Sequence, residues 1–263
     1  MNQPAKAPFS APTNIGEVLA NLEYIIQDSL KDKNHLCLFA FVYLETTRAI
    51  KNAIETGRFE NPDRMEKMDV IFANLYINAF QHYTEHQNVP QSWKFAFDSK
   101  NDQLAIIQHI LLGMNAHINL DLSVAAATIA KGPEIMNLKN DFMTVNKILE
   151  ELTNTMQKGL GKVSIFMKLL DFLGFRSDER IINFSIKKAR DFAWINAVEL
   201  ALLEKEYQQE RIEDIDIKVL ELSKIIKHPP GRLLNKTLRL IAVFEEKDTA
   251  KLIAKMRNDS KSN

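Results

Sequence analysis

The apolar residues of this chain recur mainly at three- and four-residue spacings, the period of an amphipathic α-helix, and almost nowhere alternate as in a β-strand. The first stripe of this kind contains Ile15, Val18, Leu22 and Ile25. The 8 glycines and 8 prolines cluster in a few places and separate the periodic segments. The pattern predicts an all-α protein.

Start and stop signals divide the chain into helices. Asn61 and Pro62 form the clearest start, an N-cap followed by proline in the first helical position. We expect a short turn at 93–97, a helix pair within 232–257, and further helices at about 13–30, 34–56, 61–86, 102–131, 138–158, 162–173, 177–209 and 213–227.

Short loops between these helices favour antiparallel neighbours, and therefore one multi-helix bundle of roughly nine to ten helices. The expected single domain spans 13–258, between a flexible leader (1–12) and a flexible tail (259–263). The weakest candidate for a subdomain seam is 159–161.

Composition narrows the classes of partner. Lys plus Arg and Asp plus Glu number 34 each, so no overall field favours nucleic acid. No stretch approaches the roughly 18 apolar residues that span a bilayer. The single cysteine, Cys37, lies among apolar residues, which excludes an intrachain disulfide framework and indicates a buried thiol. We expect a soluble, cytoplasmic protein.

The candidate chemistry centres on His117 and Asp121, which lie one helical turn apart and therefore on one helix face. Asp121 falls in the same stripe as Met114 and Ile118, so its carboxylate should be buried and should need a cation, a hydrogen-bond network or a proton. One interpretation is a metal ligand or an acid/base pair with His117. The other is a purely structural pair.

Other helices offer inward polar groups that could meet this pair. Glu45 and Asp69 share apolar stripes, Arg190 lies one turn before Trp194, and His82 belongs to an i, i+4 histidine pair. Each has a structural alternative: an ion pair for a glutamate, a stacked guanidinium for Arg190, a helix-end histidine for His82. The candidate catalytic residues are His117, Asp121, Glu45 and Arg190, and the candidate ligands of a divalent metal are His117, Asp121, Asp69 and His82.

The segment Gly113 to Leu122 resembles a family of uncharacterised, mainly bacterial helical proteins marked by Gly-Met-Asn-Ala-His-Ile-Asn-x-Asp-Leu. The resemblance covers most of the chain. It extends to Tyr43–Thr47, Gly57–Phe59, Phe72–Tyr76, Trp93, Asp141–Phe142, Val145–Asn146, and Arg190 with Trp194. It implies one helical domain and no particular reaction.

Two further families are similar only in fragments. Zinc-dependent phospholipase C and the related single-strand nucleases use a helical His-x-x-x-Asp, matched by His117 and Asp121, but the Pro-x-His that follows it in them is absent. Class I terpene synthases bind magnesium through Asn, Ser/Thr and Glu at four-residue steps. Asn140 and Thr144 match two of these steps, but Ile148 replaces the glutamate.

Three functions stay open on the sequence. The main hypothesis is an enzyme with a buried histidine–carboxylate centre, hydrolase-like if it holds a divalent metal. The second is a non-enzymatic module whose 15 phenylalanines and 9 methionines line a site for a small-molecule or lipid-like ligand or a partner helix. The third is a terpene-synthase-like lyase acting on an isoprenoid diphosphate.

Overall fold

The structure, a computed structural model, describes residues 11–159 and 186–261, and every regular element in these ranges is helical. This confirms the all-α prediction. The helices are α1 (Ile15–Lys31), α2 (Leu36–Glu55), α3 (Pro62–Thr84), α4 (Gln91–Asp98), α5 (Ile106–Ala116), α6 (Leu122–Ile129), α7 (Lys139–Gly159), α8 (Ile186–Leu202), α9 (Lys205–Lys227), α10 (Arg232–Phe244) and α11 (Thr249–Lys261). Short 3-10 turns occupy Ser99–Asn101 and Gly132–Leu138.

Local signals place the first helices well. The side chain of Asn14 accepts a hydrogen bond from the backbone of Glu17 at the start of α1, and Asn61 accepts one from Arg64 at the start of α3. The short turn expected at 93–97 is a complete helix, α4.

One long expected helix, 177–209, is interrupted. Part of the prediction lies outside the described residues: the first part of this helix (177–185), the expected helix at 162–173 and most of the seam at 159–161. Within them, α8 ends at Leu202 and α9 starts at Lys205. The side-chain amide of Gln208 donates to the carbonyls of Leu200 and Leu203, at 3.1 and 3.2 Å. These bonds satisfy carbonyls that a continuous helix would have used, and so stabilise the break.

The central helix runs from Ile106 through α5, a π-helical turn (His117–Asp121) and α6 to Ile129. In the π turn the backbone N–H of Leu122 donates to the carbonyl of His117, five residues earlier. By length and composition alone this helix could cross a membrane, which corrects the expectation that no stretch approaches that length, but 72% of that window is buried inside the fold. It is the core helix of the bundle.

Two apolar clusters pack against the central helix. One joins α1, the first part of α2, α3, α4 and α5, and it includes Cys37, which is fully buried as predicted. The other joins the end of α2, the start of α3, α6, α7 and α8. Phe72 packs against both clusters, beside the π turn that separates α5 from α6.

Candidate functional site

The π turn carries the predicted histidine–aspartate pair. Nδ1 of His117 and Oδ2 of Asp121 are 2.9 Å apart, and the two residues are 2% and 3% exposed. The indole N–H of Trp93 donates to the same carboxylate oxygen, also at 2.9 Å. The predicted burial of Asp121 is confirmed, and its oxygen has two partners.

Trp93 reaches Asp121 because a second buried aspartate fixes the start of α4. The carboxylate of Asp216, on α9, accepts from the backbone N–H groups of Gln91 and Ser92 at 2.6 and 3.0 Å. It satisfies N–H groups that have no partner within the helix, and its negative charge is favourable at the positive end of the helix dipole. The position of the indole is therefore set from two neighbouring helices.

The other motif residues hold the central helix in place. A side chain at Gly113 would overlap the ring of Phe39, so only glycine permits this close approach to α2. The side-chain amide of Asn115 donates to the backbone carbonyl of Val219 and to the hydroxyl of Ser223, both at 2.8 Å. The side-chain amide of Asn119 donates to the side-chain oxygen of Asn115. Gly113 and Asn115 therefore hold the central helix against α2 and α9, while His117 and Asp121 contact Trp93.

Burial sets the protonation of the pair. It raises the pKa of Asp121 well above its usual value, opposed by the Trp93 hydrogen bond, and it lowers the pKa of His117 well below its usual value. The imidazole is therefore neutral near pH 7. One ring nitrogen is engaged by Asp121, and the other, Nε2, has no hydrogen-bond partner among the described residues.

Aromatic rings hold the imidazole in one plane. The Phe72 ring stacks on it, with centroids 3.6 Å apart and an angle of 7°, and Tyr43 meets it edge-on at 4.3 Å. Phe39, Tyr76 and Trp93 complete the surround at about 6 Å. The ring therefore has one orientation, with Nε2 fixed relative to the cavity described next.

His117 lines a cavity of about 120 Å³ between α2, α3, the central helix, α7 and α8. Most of its wall is apolar: Phe39, Val42, Ile50, Met65, Met68, Phe72, Met114, Ile118, Leu122, Val145 and Leu149. The polar side chains in the wall are Tyr43, Thr46, Asp69, His117 and Arg190.

Three buried polar atoms of this wall have no hydrogen-bond partner among the described residues: Nε2 of His117, Oδ2 of Asp69 and the hydroxyl of Tyr43. Burial, with a smaller effect from Glu66, raises the pKa of Asp69 to about 7. Burial, with Asp69 and Asp121 nearby, also raises the pKa of Tyr43. Buried polar groups are nearly always hydrogen-bonded, so three residues of one cavity wall that each carry such an atom are candidates for contact with a bound molecule.

Arg190 enters the same wall from α8 and is 4% exposed. Its guanidinium donates to the side chain of Asn146 and to the carbonyl of Phe142, and it stacks on the Phe142 ring at 4.4 Å rather than on Trp194. Burial lowers the pKa of Arg190 to about 9. No carboxylate of the described residues forms an ion pair with it.

Two predicted site residues lie elsewhere. Glu45 is largely enclosed, as expected, but it pairs with Arg48 and does not line the cavity. His82 is exposed, about 20 Å along α3 from Asp69. No group of three or more His, Cys, Asp or Glu side chains in the described ranges is placed to hold a metal ion, so the four candidate metal ligands are not brought together.

The fragment shared with terpene synthases also lies away from the cavity. The amide of Asn140 donates to Glu60 on the surface, and the hydroxyl of Thr144 donates to the backbone of Asn140. Neither residue lines the cavity. The structure therefore gives no support to a diphosphate site at these positions.

Two residues of the site were not among the predicted ones. Tyr43 and Trp93 both occur in the segments that carry the family resemblance, which was the available signal. Apolar residues surround Tyr43 on nearly every side of α2, so helical phase did not single it out. The role of Trp93 depends on Asp216, which is far away in the sequence.

The fold and the site together define an all-α protein with a small, mainly apolar internal cavity beside a buried histidine–aspartate pair. The chain belongs to a family of unknown function, DUF5995, whose sequence model matches residues 15–229. No curated protein and no solved structure matches the chain. The family membership agrees with the expected uncharacterised family, and it assigns no activity.

Proposed function

We propose that the cavity binds a small, mainly apolar molecule that carries one or two hydrogen-bonding groups. The observation that supports this is that three residues lining one mainly apolar cavity, His117, Asp69 and Tyr43, each carry a buried polar atom with no hydrogen-bond partner among the described residues. Ligand sites commonly combine apolar walls with a few converging polar groups.

The volume sets the size of the ligand. An apolar cavity of about 150 Å³ holds a benzene molecule, so a space of about 120 Å³ suits a body of roughly six heavy atoms. Apolar surface removed from water contributes about 25 cal/mol per Å², and the polar atoms add orientation and specificity.

Binding of benzyl alcohol, measured by isothermal titration calorimetry, tests the proposal. We expect one saturable site in the wild type and its loss in Val42→Phe, because the larger side chain fills the cavity. Val124→Phe is the matched control, since Val124 is half-buried on α6 and does not line the cavity. Absence of saturable binding, or equal binding by all three proteins, would contradict the proposal.

A second candidate function is proton transfer to or from the bound molecule. The supporting observation is that Asp121 engages one nitrogen of the neutral His117 imidazole, while the other nitrogen has no partner in the described part of the chain and the residue lines the cavity. Asp69 is a second acid–base group there, and its pKa of about 7 suits proton transfer near neutral pH.

Deuterium exchange into cyclopentanone tests this candidate, because its α-hydrogens exchange only when a base removes them. Exchange followed by NMR in D₂O should be faster with the wild type than in buffer, and His117→Gln should abolish the excess. His109→Gln is the matched control, since that buried histidine does not line the cavity. No exchange above buffer, with binding intact, would leave a binding module without chemistry.

A reducing, cytoplasmic location is part of the same proposal. It is supported by the single, free cysteine, Cys37, since the chain has no second cysteine for an intrachain disulfide; burial raises the pKa of its thiol to about 12. A thiol of this kind is not readily oxidised or alkylated. Fluorescence microscopy of the tagged protein in its own cell would test the location.

A further inference from the structure

The cavity wall contains one fixed positive charge, Arg190, which has the carboxylate of Asp191 nearby but forms no ion pair with any side chain of the described residues. Arg190 is almost completely buried, and in the described ranges its hydrogen bonds go to an amide oxygen and a backbone carbonyl, both neutral. A buried charge that forms no ion pair is costly, so an anion that pairs with it is favoured.

The guanidinium of Arg190 is held in one position by contacts with α7. Asn146, Phe142 and the Phe142 ring fix it from three sides, on α7. A planar guanidinium offers paired N–H donors that match the two oxygens of a carboxylate. Its preorganisation means that little side-chain entropy is lost when an anion binds.

We propose, resting on the proposed binding function, that the ligand is a small monocarboxylate whose carboxylate pairs with Arg190 and whose apolar part fills the cavity. The apolar wall accommodates the hydrocarbon part, and the carboxylate accepts hydrogen bonds from the buried guanidinium. A phosphate fits less well, because it carries up to two charges and three strong acceptor oxygens and Arg190 is the one cation in the described wall.

The other titratable groups of the cavity are compatible with an anion. Burial raises the pKa of Asp69 to about 7 and that of Tyr43 above its usual value, so at pH 6 both side chains are mostly neutral. Neutral carboxyl and hydroxyl groups can donate hydrogen bonds to a carboxylate. Asp69 and Tyr43 are then additional donors and do not repel the anion.

Benzoate and benzamide, compared at pH 6 by calorimetry with the folded full-length protein, test the inference. The two probes have the same shape and differ in charge. We expect benzoate to bind at least tenfold more tightly than benzamide to the wild type. In Arg190→Met, which keeps an unbranched apolar side chain and removes the charged guanidinium, the preference should fall below twofold.

The outcomes separate this inference from the proposed function. If benzamide and benzoate bind equally well, or if Arg190→Met keeps the preference, the carboxylate assignment is wrong while the binding cavity stands. If benzyl alcohol binds to the wild type but neither of these two probes does, the carboxylate assignment is wrong while the binding cavity stands, and if none of the three binds, both proposals are wrong. The wild-type comparison alone decides the inference if Arg190→Met does not fold.

Discussion

The central helix carries two buried histidines, His109 and His117, just over two turns apart, and both have an Nε2 atom without a hydrogen-bond partner in the described ranges. His109 stacks on the imidazole of His35, with centroids 4.2 Å apart, while the nearby carboxylate of Asp102 pairs with Lys227. His117 is held by the carboxylate of Asp121 and lines a cavity.

The comparison shows that a buried, unpartnered nitrogen does not by itself define a site. Burial, with the neighbouring charge of His35, lowers the pKa of His109 to about 3. His109 does not line the cavity. Only His117 combines an orienting carboxylate, a fixed ring plane and an adjoining space. These three features together distinguish a candidate site from a buried nitrogen that merely lacks a hydrogen-bond partner.

The largest expected effect is the loss of the orienting carboxylate. Asp121→Ala leaves buried nitrogens of His117 and Trp93 without partners, so it should lower the free energy of unfolding by about 3–5 kcal/mol, measured by urea denaturation. Asp121→Asn is the control, because its carbonyl can still accept from Trp93, and it should lose about 1–2 kcal/mol. A loss below about 1 kcal/mol for Asp121→Ala would show that the carboxylate orients nothing.

The cavity region should lose stability as pH rises. The folded pKa of Asp69, about 7, lies above its model value of 3.8, so between these values the folded protein keeps a proton that the unfolded chain releases. The contribution of Asp69 to the free energy of unfolding is therefore present below pH 4 and is lost as pH rises through 7. Relative to Asp69→Asn, the wild type should therefore lose about 3–4 kcal/mol between pH 4 and pH 7.5. Parallel stability curves for the two proteins would contradict this.

The His109 region should respond in the opposite direction. Its folded pKa of about 3 lies below the model value of 6.5, so its contribution is present above pH 6.5 and declines as pH falls towards 3. Relative to His109→Gln, the wild type should lose about 2–3 kcal/mol between pH 7.5 and pH 4.5. Chemical denaturation at a series of pH values measures the difference, and a difference that stays constant would place His109 in a solvated setting.

The smallest expected effect is a difference between the two histidines in their influence on the affinity for benzyl alcohol. His117→Gln removes one neutral hydrogen bond to the ligand and should weaken benzyl alcohol binding about three- to tenfold. His109→Gln should leave the dissociation constant unchanged within twofold. Equal weakening by both variants would mean that the effect passes through the helix and not through a contact with the ligand.

Local signals in the sequence predicted much of the fold. Asn14 and Asn61 cap their helices as expected because capping depends on residues three positions apart. The interruption after Leu202 was not predictable in the same way, since no glycine or proline marks it and it depends on bonds from Gln208. The π turn also had no sequence signal, because the helix around it is apolar on nearly all sides.

The site could be predicted only in part, for the same reason. Helical phase placed Asp121 and Asp69 in the interior correctly. It could not show that Glu45 pairs with Arg48, or that Trp93 reaches Asp121, because these contacts depend on side-chain direction and on how distant helices pack.

The central claim is that the space beside His117 is a ligand site, and a crystal structure of the wild-type protein grown with benzyl alcohol tests it most directly. We predict density for one molecule inside the cavity, with its hydroxyl about 3 Å from Nε2 of His117, Oδ2 of Asp69 or the Tyr43 hydroxyl. A cavity closed by repacked side chains, or a probe bound only outside it, would contradict the claim.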